Sequence, residues 1–321
     1  MWFQEWGNGD PVIALHPLAL ESTAYAGVAQ LLAQRGLRTI AVDLPGFGRT
    51  PGPDGTVTPS RMAEPVVELA ASLNPRPLVL GMSMGGRVAL EVAFVAPATL
   101  RGVVLVAPYL PWRTHRWLLS LARLMSPNAV ECLPLQHAWP LLRHISAVLE
   151  SRPKLEHDWL ARASARVGYY LSCPATRANF ISASRELALD PAYGSQGTWT
   201  RLARLSVPAA FVWGAQDRLI PPEQSGAVAE LLPRAHHITI PCCGHFMNGR
   251  HHRCFETAIA DAALHTINSV ERSAAAAQRH KRRASAFAFA PCLGSKTPPT
   301  SDRPVAKSAL RRNPPLRTGW S

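Results

Sequence analysis

The sequence predicts an α/β fold with a mostly parallel central sheet flanked by helices. Short apolar runs of strand length alternate with stretches of helical pattern on both sides of a central interruption. Between about Ala107 and Val207 this alternation stops, which indicates an inserted helical lid. The 321 residues, 47% of them hydrophobic, suffice for one large core with such an insertion.

The first strands are expected close to the N-terminus. Met1–Trp6 has room for a single edge strand, and Pro11–Leu18 predicts a strand that ends in a His-Pro turn. A helix is expected to begin within Ser22–Gly36. Ala41–Thr50 predicts the next strand and its sharp exit, where the Asp43 carboxylate should accept hydrogen bonds from backbone N–H groups of its own turn.

A nucleophile elbow is predicted at Ser83. The apolar run Pro77–Leu80 precedes Gly-Met-Ser-Met-Gly at 81–85, and a helical pattern follows it. The two glycines remove β-carbons where strand and helix crowd together. A serine alcohol is a weak nucleophile at neutral pH, so it needs a base and N–H donors for the developing oxyanion. A structural turn serine is the alternative, because so short a motif also occurs by chance.

An acid and a base follow the serine in the order that such an arrangement requires. The buried run Val207–Trp213 leads into a turn that presents Asp217, the predicted triad acid. A short strand, His237–Pro241, leads to His245, the predicted general base. His245 would take the Ser83 proton and return it to the leaving group, while the carboxylate fixes the histidine tautomer.

Both assignments have alternatives. Asp217 is also a residue type that forms turns, although no other carboxylate follows a strand in that region. His16 is interpreted as structural. Four further histidines compete with His245 for the role of base: His236, His237, His251 and His252.

Four motifs together resemble the α/β-hydrolase superfamily over about residues 2–268. They are the Asp-x-Pro-Gly-x-Gly turn at 43–48, the elbow, the Gly-x-x-Asp-x-x-x-Pro loop at 214–221 and Gly-His at 244–245. Four motifs in this order are far more specific than any one alone. The resemblance implies a serine-nucleophile hydrolase of esters, thioesters, lactones, amides or certain carbon–carbon bonds.

The resemblance also implies an oxyanion hole, with the backbone N–H groups of Leu18 and Met84 as the expected donors. Family members usually have His-Gly where this chain has His16–Pro17. Proline has no N–H, so the first donor moves one residue onward and the local backbone must differ. The His-Pro-Leu form is more similar to enol-lactonases and small esterases than to typical lipases.

The expected organisation is a first core part at 1–110, a helical cap at 111–195, a second core part at 196–270 and a basic disordered tail at 271–321. Aromatic residues of the cap would line an acyl pocket or pack helix against helix: Trp112, Trp117, Trp139, Trp159, Tyr169, Tyr170 and Phe180. Its arginines would grip a substrate carboxylate or lie on solvated faces: Arg113, Arg116, Arg123, Arg143, Arg166 and Arg177.

The tail holds most of the positive charge. Residues 271–321 carry eleven Lys and Arg against two acids, a net charge of +9 out of +13 for the chain. Repeated alanines, proline pairs and few aromatic residues predict disorder there. The high pI therefore does not indicate nucleic-acid binding by the folded body. The tail is interpreted as a solvated extension, with contact to nucleic acid or an anionic membrane as the alternative.

Composition narrows the class of protein further. No run reaches the roughly 18 apolar residues of a membrane-spanning helix, and Met1–Glu5 lacks the basic start of a secretion signal, so a cytoplasmic location is expected. The six cysteines lack a disulfide-framework spacing and are expected to be reduced. The Cys and His residues between 242 and 254 lack paired zinc-ligand spacing, so no metal is expected. A serine hydrolase that works through the predicted triad needs no organic cofactor, so none is expected.

The combined expectation is a carboxylesterase-like serine hydrolase that acts on a small, apolar ester, thioester or lactone through an acyl-enzyme. A carbon–carbon bond hydrolase of a vinylogous diketone is the enzymatic alternative. A ligand receptor that keeps the fold but makes little use of the triad is the alternative outside the enzymes.

Overall fold

The chain forms two compact units, Met1–Ala276 and Ala277–Ser321. A computed structural model describes residues 1–111, 168–171, 174–217, 219–220, 222–241, 243–245 and 252–288. Of the second unit, residues 277–288 are described, and they are helical.

The first unit is organised around a seven-stranded sheet. Its strands are β1 (Phe3–Trp6), β2 (Asp10–Leu15), β3 (Leu37–Val42), β4 (Leu78–Met82), β5 (Gly102–Val106), β6 (Ala209–Gly214) and β7 (His236–Ile240). The spatial order is β1-β3-β2-β4-β5-β6-β7. Only β1 runs antiparallel to its neighbour, β3, and the other neighbouring strands pair in parallel. The predicted mostly parallel sheet with a single N-terminal edge strand is confirmed.

The central strands are buried on both faces. Every residue of β5 is buried, and β2, β4 and β6 are nearly so. Parallel strands covered on both faces need side chains that are apolar at successive positions, which explains why these strands appear as continuous Val, Ile and Leu runs. The carboxyl ends of β4, β6 and β7 lie along one edge of the sheet, and the loops that follow them carry the candidate site.

Helices connect the strands. Among the described residues they are α1 (Ala26–Gln34), α2 (Pro59–Ser72), α3 (Met84–Val95), α4 (Pro174–Leu189), α5 (Thr198–Leu202), α6 (Pro222–Leu231) and α7 (His252–Ala288). A short 3-10 turn, Ser22–Tyr25, precedes α1. The helix α4 lies within the range of the predicted helical cap. Most of the predicted cap lies outside the described residues, so its boundaries at 111 and 195 stay a prediction.

The helix α7 corrects the expected start of disorder. It continues past Glu271 to Ala288, so residues 271–288 are helical where the sequence predicts a disordered tail. Four consecutive alanines at 274–277 explain the extension, because alanine has the highest intrinsic helix propensity. Residues 289–321 lie outside the described part of the chain.

The Asp43 carboxylate connects the loop after β3 to its surroundings. One oxygen accepts the Ser22 N–H at 2.8 Å and the other accepts the Arg49 N–H at 2.9 Å. A Cβ on Gly48 would overlap this carboxylate, so the glycine lets the backbone curl around it. The expected turn-holding role of Asp43 is therefore seen, and it extends to the residue that opens the 3-10 turn.

A buried network of four charged side chains connects α3 to the segments around α5. Arg87 donates from Nε and Nη2 to the two oxygens of Asp190 at 2.6 and 3.0 Å, and from Nη1 to Glu91 at 2.8 Å. Arg201 donates to both oxygens of Glu91 at 2.9 Å, and the Thr198 hydroxyl donates to Asp190 at 2.9 Å. Burial alone would lower the pKa of Arg87, but the bonds to Asp190 and Glu91 outweigh it and raise that pKa.

Replacing Asp190 with alanine should lower the free energy of unfolding by about 3–5 kcal/mol, because the buried Arg87 loses the carboxylate that it binds in a bidentate manner. Denaturant unfolding measures the change. The matched control is Glu5→Ala, which removes the partner of Arg38 at an exposed site and should cost less than about 1 kcal/mol. Equal losses in the two variants would contradict the structural importance of the buried network.

Candidate functional site

Ser83 lies on a tight turn between β4 and α3. Its backbone φ is 52°, in a region that residues other than glycine rarely adopt. The Ser83 N–H donates to Val106 O at 3.0 Å, and the Ser83 carbonyl accepts the N–H groups of Arg87 and Tyr109 at 3.0 and 2.9 Å. These bonds to β5, to the residues beyond it and to the first turn of α3 hold the strained turn in place.

Two glycines permit the close packing around this turn. A Cβ on Gly81 would overlap the carbonyl oxygen of Gly85. A Cβ on Gly85 would overlap the carbonyl oxygen of Leu15 and lie 2.7 Å from that of His16. The end of β2 therefore lies directly against the start of α3, which brings the loop after β2 up to the Ser83 turn.

His245 lies between Ser83 and Asp217. Its Nε2 is 3.0 Å from Ser83 Oγ, and its Nδ1 is 2.8 Å from Asp217 Oδ2. Because a carboxylate can only accept, the Nδ1 carries the proton, and Nε2 is left to accept from the serine hydroxyl. The three side chains predicted from separate parts of the sequence are thus within hydrogen-bond distance of one another in a single chain of contacts.

The Asp217 carboxylate is held by the backbone of its own loop. Its Oδ1 accepts the N–H groups of Leu219 and Ile220 at 2.9 and 2.7 Å, which leaves Oδ2 to face the histidine. The carboxylate is 2% exposed and His245 is 6% exposed. A buried carboxylate needs such partners, and three N–H groups surround it, those of Leu219, Ile220 and His245 Nδ1.

The competing histidines have other surroundings. His236 stacks on His265 with ring centroids 3.9 Å apart, and burial together with the neighbouring His265 and His237 lowers the pKa of His236. Nε2 of His237 lies 3.0 Å from a backbone carbonyl oxygen. His251 and the side chain of His252 lie outside the described residues.

His16 holds the loop after β2. It is fully buried, and its Nε2 accepts the Leu44 N–H at 3.0 Å. The ring proton therefore lies on Nδ1, which donates to Pro17 O at 2.8 Å. These contacts agree with the interpretation of His16 as structural.

The two expected oxyanion donors belong to this loop and to α3. Leu18 follows His16–Pro17 in the loop, and Met84 is the first residue of α3. The first N–H groups of a helix have no intrahelical acceptor and point along its axis toward its start, where negative charge is favoured. Their geometry around a bound oxyanion stays a prediction.

Several cap residues have packing roles. The Tyr170 ring is 1% exposed, stacks on Phe180 and accepts the Gly48 N–H on its hydroxyl at 3.0 Å. Arg177 is buried and donates to the carbonyl oxygen of Leu171 at 2.5 Å. The cap tryptophans and the other cap arginines named above lie outside the described residues.

The hydrogen bonds of Tyr170 and Asp190 have no signal in the sequence, because both residues bind partners that lie far away along the chain.

The described residues contain neither a candidate metal cluster nor a helix that could span a membrane. No group of three or more His, Cys, Asp or Glu side chains there is placed to hold a metal ion. No helix in the same part of the chain has the length and apolar character needed to cross a membrane.

Comparison with known proteins identifies the family. The sequence profile of the alpha/beta hydrolase family matches residues 12–257. A pimeloyl-(acyl-carrier protein) methyl ester esterase of Chromobacterium violaceum is 28% identical over 266 residues, which cover 81% of this chain and 97% of that protein. A protein of the same name from Xanthomonas oryzae pv. oryzae is 30% identical over 242 residues, covering 74% and 89%.

Solved structures show the same fold. A thermophilic esterase from Thermogutta terrifontis superposes with a TM-score of 0.64 at 22% identity, covering 83% of this chain and 93% of that one. An alpha/beta hydrolase fold protein from Burkholderia ambifaria gives a TM-score of 0.64 at 25% identity, covering 81% and 93%. The chain belongs to the alpha/beta hydrolase family and is a hydrolase enzyme.

Proposed function

We propose that this enzyme hydrolyses carboxylic esters with Ser83 as nucleophile, His245 as general base and acid, and Asp217 as the group that orients the histidine. The single observation that carries the proposal is the contact chain through the imidazole, 3.0 Å to the hydroxyl on one side and 2.8 Å to the carboxylate on the other. Both distances fit proton transfer from serine to histidine.

The proposed reaction has two steps. Ser83 Oγ attacks the ester carbonyl carbon while its proton passes to His245 Nε2, and the resulting oxyanion accepts hydrogen bonds from the N–H groups of Leu18 and Met84. The C–O bond to the alcohol then breaks, and the histidine proton goes to the leaving oxygen. Water, deprotonated by the same histidine, attacks the acyl carbon, the bond to Ser83 Oγ breaks, and the histidine returns its proton to Oγ, which releases the acid and the free serine. This cycle needs no metal or organic cofactor.

We propose a small-molecule ester with a small alcohol as the substrate class. Both curated relatives above are named for a methyl ester, which supports an ester over a thioester or a lactone. No observation among the described residues favours a carbon–carbon hydrolase, because Arg177, the one described member of the predicted cap arginines, is bound to a backbone carbonyl. That alternative and the receptor alternative are outcomes of the test below.

A fluorophosphonate probe should attach to the purified enzyme in a one-to-one ratio, and peptide mapping should place the adduct on Ser83. The enzyme should also turn over p-nitrophenyl esters of short acids and simple methyl esters faster than a vinylogous diketone. A protein that binds these esters but neither reacts with the probe nor releases product would support a receptor. Preferred cleavage of the diketone would support carbon–carbon hydrolysis.

We also propose that the enzyme works in the cytoplasm. Cys254, an exposed cysteine among the described residues, is a free thiol. Structural disulfides are typical of oxidising compartments, and reduced cysteines are typical of the cytosol.

A further inference from the structure

The turn Pro17–Leu20 carries the first proposed oxyanion donor and has an unusual backbone. Ala19 has a φ of 62°, a left-handed conformation that is unfavourable for alanine because its Cβ lies too close to the following carbonyl oxygen. Such a residue keeps this conformation only where its surroundings hold it. Pro17 O accepts both the Leu20 N–H at 3.2 Å and the His16 ring at 2.8 Å, so one end of the turn is well held.

The other end of the turn contacts a tyrosine from a distant part of the chain. The Tyr170 hydroxyl accepts the Gly48 N–H at 3.0 Å and has the Leu20 carbonyl oxygen as acceptor at 3.5 Å. One hydroxyl thus joins the loop after β3 to the end of the turn that carries Leu18. Because the tyrosine is 1% exposed, water is largely excluded as a substitute for these bonds.

Ring packing fixes where this hydroxyl lies. The Phe47 ring contacts Tyr170 edge-on with ring centroids 5.4 Å apart, and it also contacts His16 edge-on at 5.6 Å. The Phe180 ring of α4 stacks on Tyr170 at 6.0 Å. A continuous row of aromatic rings therefore leads from α4 to His16, at the start of the turn.

Hydrogen bonds hold the short segment 168–171, which carries this tyrosine, against α4 and the core. The Thr176 hydroxyl donates to the Tyr170 carbonyl oxygen at 3.1 Å, and α4 is attached to the core where the Ser182 hydroxyl accepts the Val57 N–H at 2.9 Å. The Asp190–Arg87 ion pair holds the chain just beyond α4 against α3. The backbone of Tyr170 is therefore held in place where its hydroxyl contacts the turn.

We propose that Tyr170 is a positioning residue for the oxyanion hole, acting through the turn Pro17–Leu20 on the Leu18 N–H. The inference rests on the function proposed above. An oxyanion donor stabilises the transition state only within a narrow distance range, so a small shift of the turn reduces the rate of the chemical step more than substrate binding.

The test is Tyr170→Phe, which keeps the ring and removes the hydroxyl. We expect kcat for p-nitrophenyl butyrate to fall about tenfold with KM nearly unchanged, since the donor is displaced rather than lost. Hydrogen exchange of a peptide covering residues 16–22 should speed up by a similar factor. The matched control is Tyr169→Phe, the same chemical change at a neighbouring side chain that is 54% exposed, and it should alter neither quantity.

Each outcome decides the inference. Unchanged exchange in residues 16–22, an equal effect in Tyr169→Phe, or a rise in KM with kcat intact would overturn it. Global unfolding of Tyr170→Phe would also overturn it, because a positioning hydroxyl has a local effect. The exchange measurement does not depend on turnover, so failure of the ester-hydrolase proposal, seen as full activity of a Ser83 variant, is distinguishable from failure of this one.

Discussion

Ser83→Ala should reduce kcat for ester hydrolysis by about 10⁶-fold, to the level that binding and the oxyanion donors alone support. Alanine keeps the backbone of the turn but removes the Oγ that lies 3.0 Å from His245 Nε2. Without it no acyl-enzyme forms. Steady-state turnover of p-nitrophenyl butyrate and mass spectrometry after fluorophosphonate treatment measure the two consequences.

The matched control for this variant is Ser72→Ala. Ser72 is an exposed serine near the end of α2, and its hydroxyl donates to the Leu69 carbonyl oxygen at 2.8 Å. It should retain full activity and full labelling. Both variants should unfold at nearly the wild-type temperature. Residual activity of Ser83→Ala above one part in about a thousand would point to a different nucleophile.

Asp217→Asn should lower kcat by about 10⁴-fold while the fold stays intact. The amide is the same shape as the carboxylate, and its oxygen can still accept the N–H groups of Leu219 and Ile220. Its NH₂ group then faces His245 Nδ1 as a donor. The imidazole proton moves to Nε2, and the ring can no longer accept the proton of the serine.

An exposed acid serves as the control for this change. Asp261→Asn alters the ion pair of Asp261 with Arg35 on the surface and should leave kcat unchanged. The pH dependence of kcat should be followed for both variants. If Asp217→Asn kept more than about a tenth of the wild-type rate, the carboxylate would have no orienting role and the proposed triad would be wrong.

The strands and the elbow were predictable because their signals are local. The cores of β2, β4, β5 and β6 consist of apolar runs, and a buried parallel strand needs such a run whatever lies around it. The Ser83 turn is predicted by the glycines at 81 and 85, since the crowding that excludes a β-carbon arises within a few residues.

Other elements lacked a local signal or had a misleading one. The helix α2 was not predicted, since Pro65 interrupts its apolar pattern. Its start does carry a sequence signal, an N-cap threonine followed by a proline at the first helical position. In the structure the Thr58 hydroxyl accepts the Arg61 N–H at 3.2 Å. The composition of the tail predicted disorder from Glu271, yet the helix that begins before it continues to Ala288. Helix propagation through the alanine-rich stretch outweighs the overall composition there.

The sequence by itself determined the family, the sheet and the tight turn that carries Ser83, because these follow from residue patterns that span a few positions or recur in a set order. Only the tertiary structure decided which histidine meets both Ser83 and Asp217, and which partners Tyr170 and Arg87 bind. Those contacts join residues up to 162 positions apart, and a hydrogen bond depends on distance in space, which the packing of the strands and helices creates.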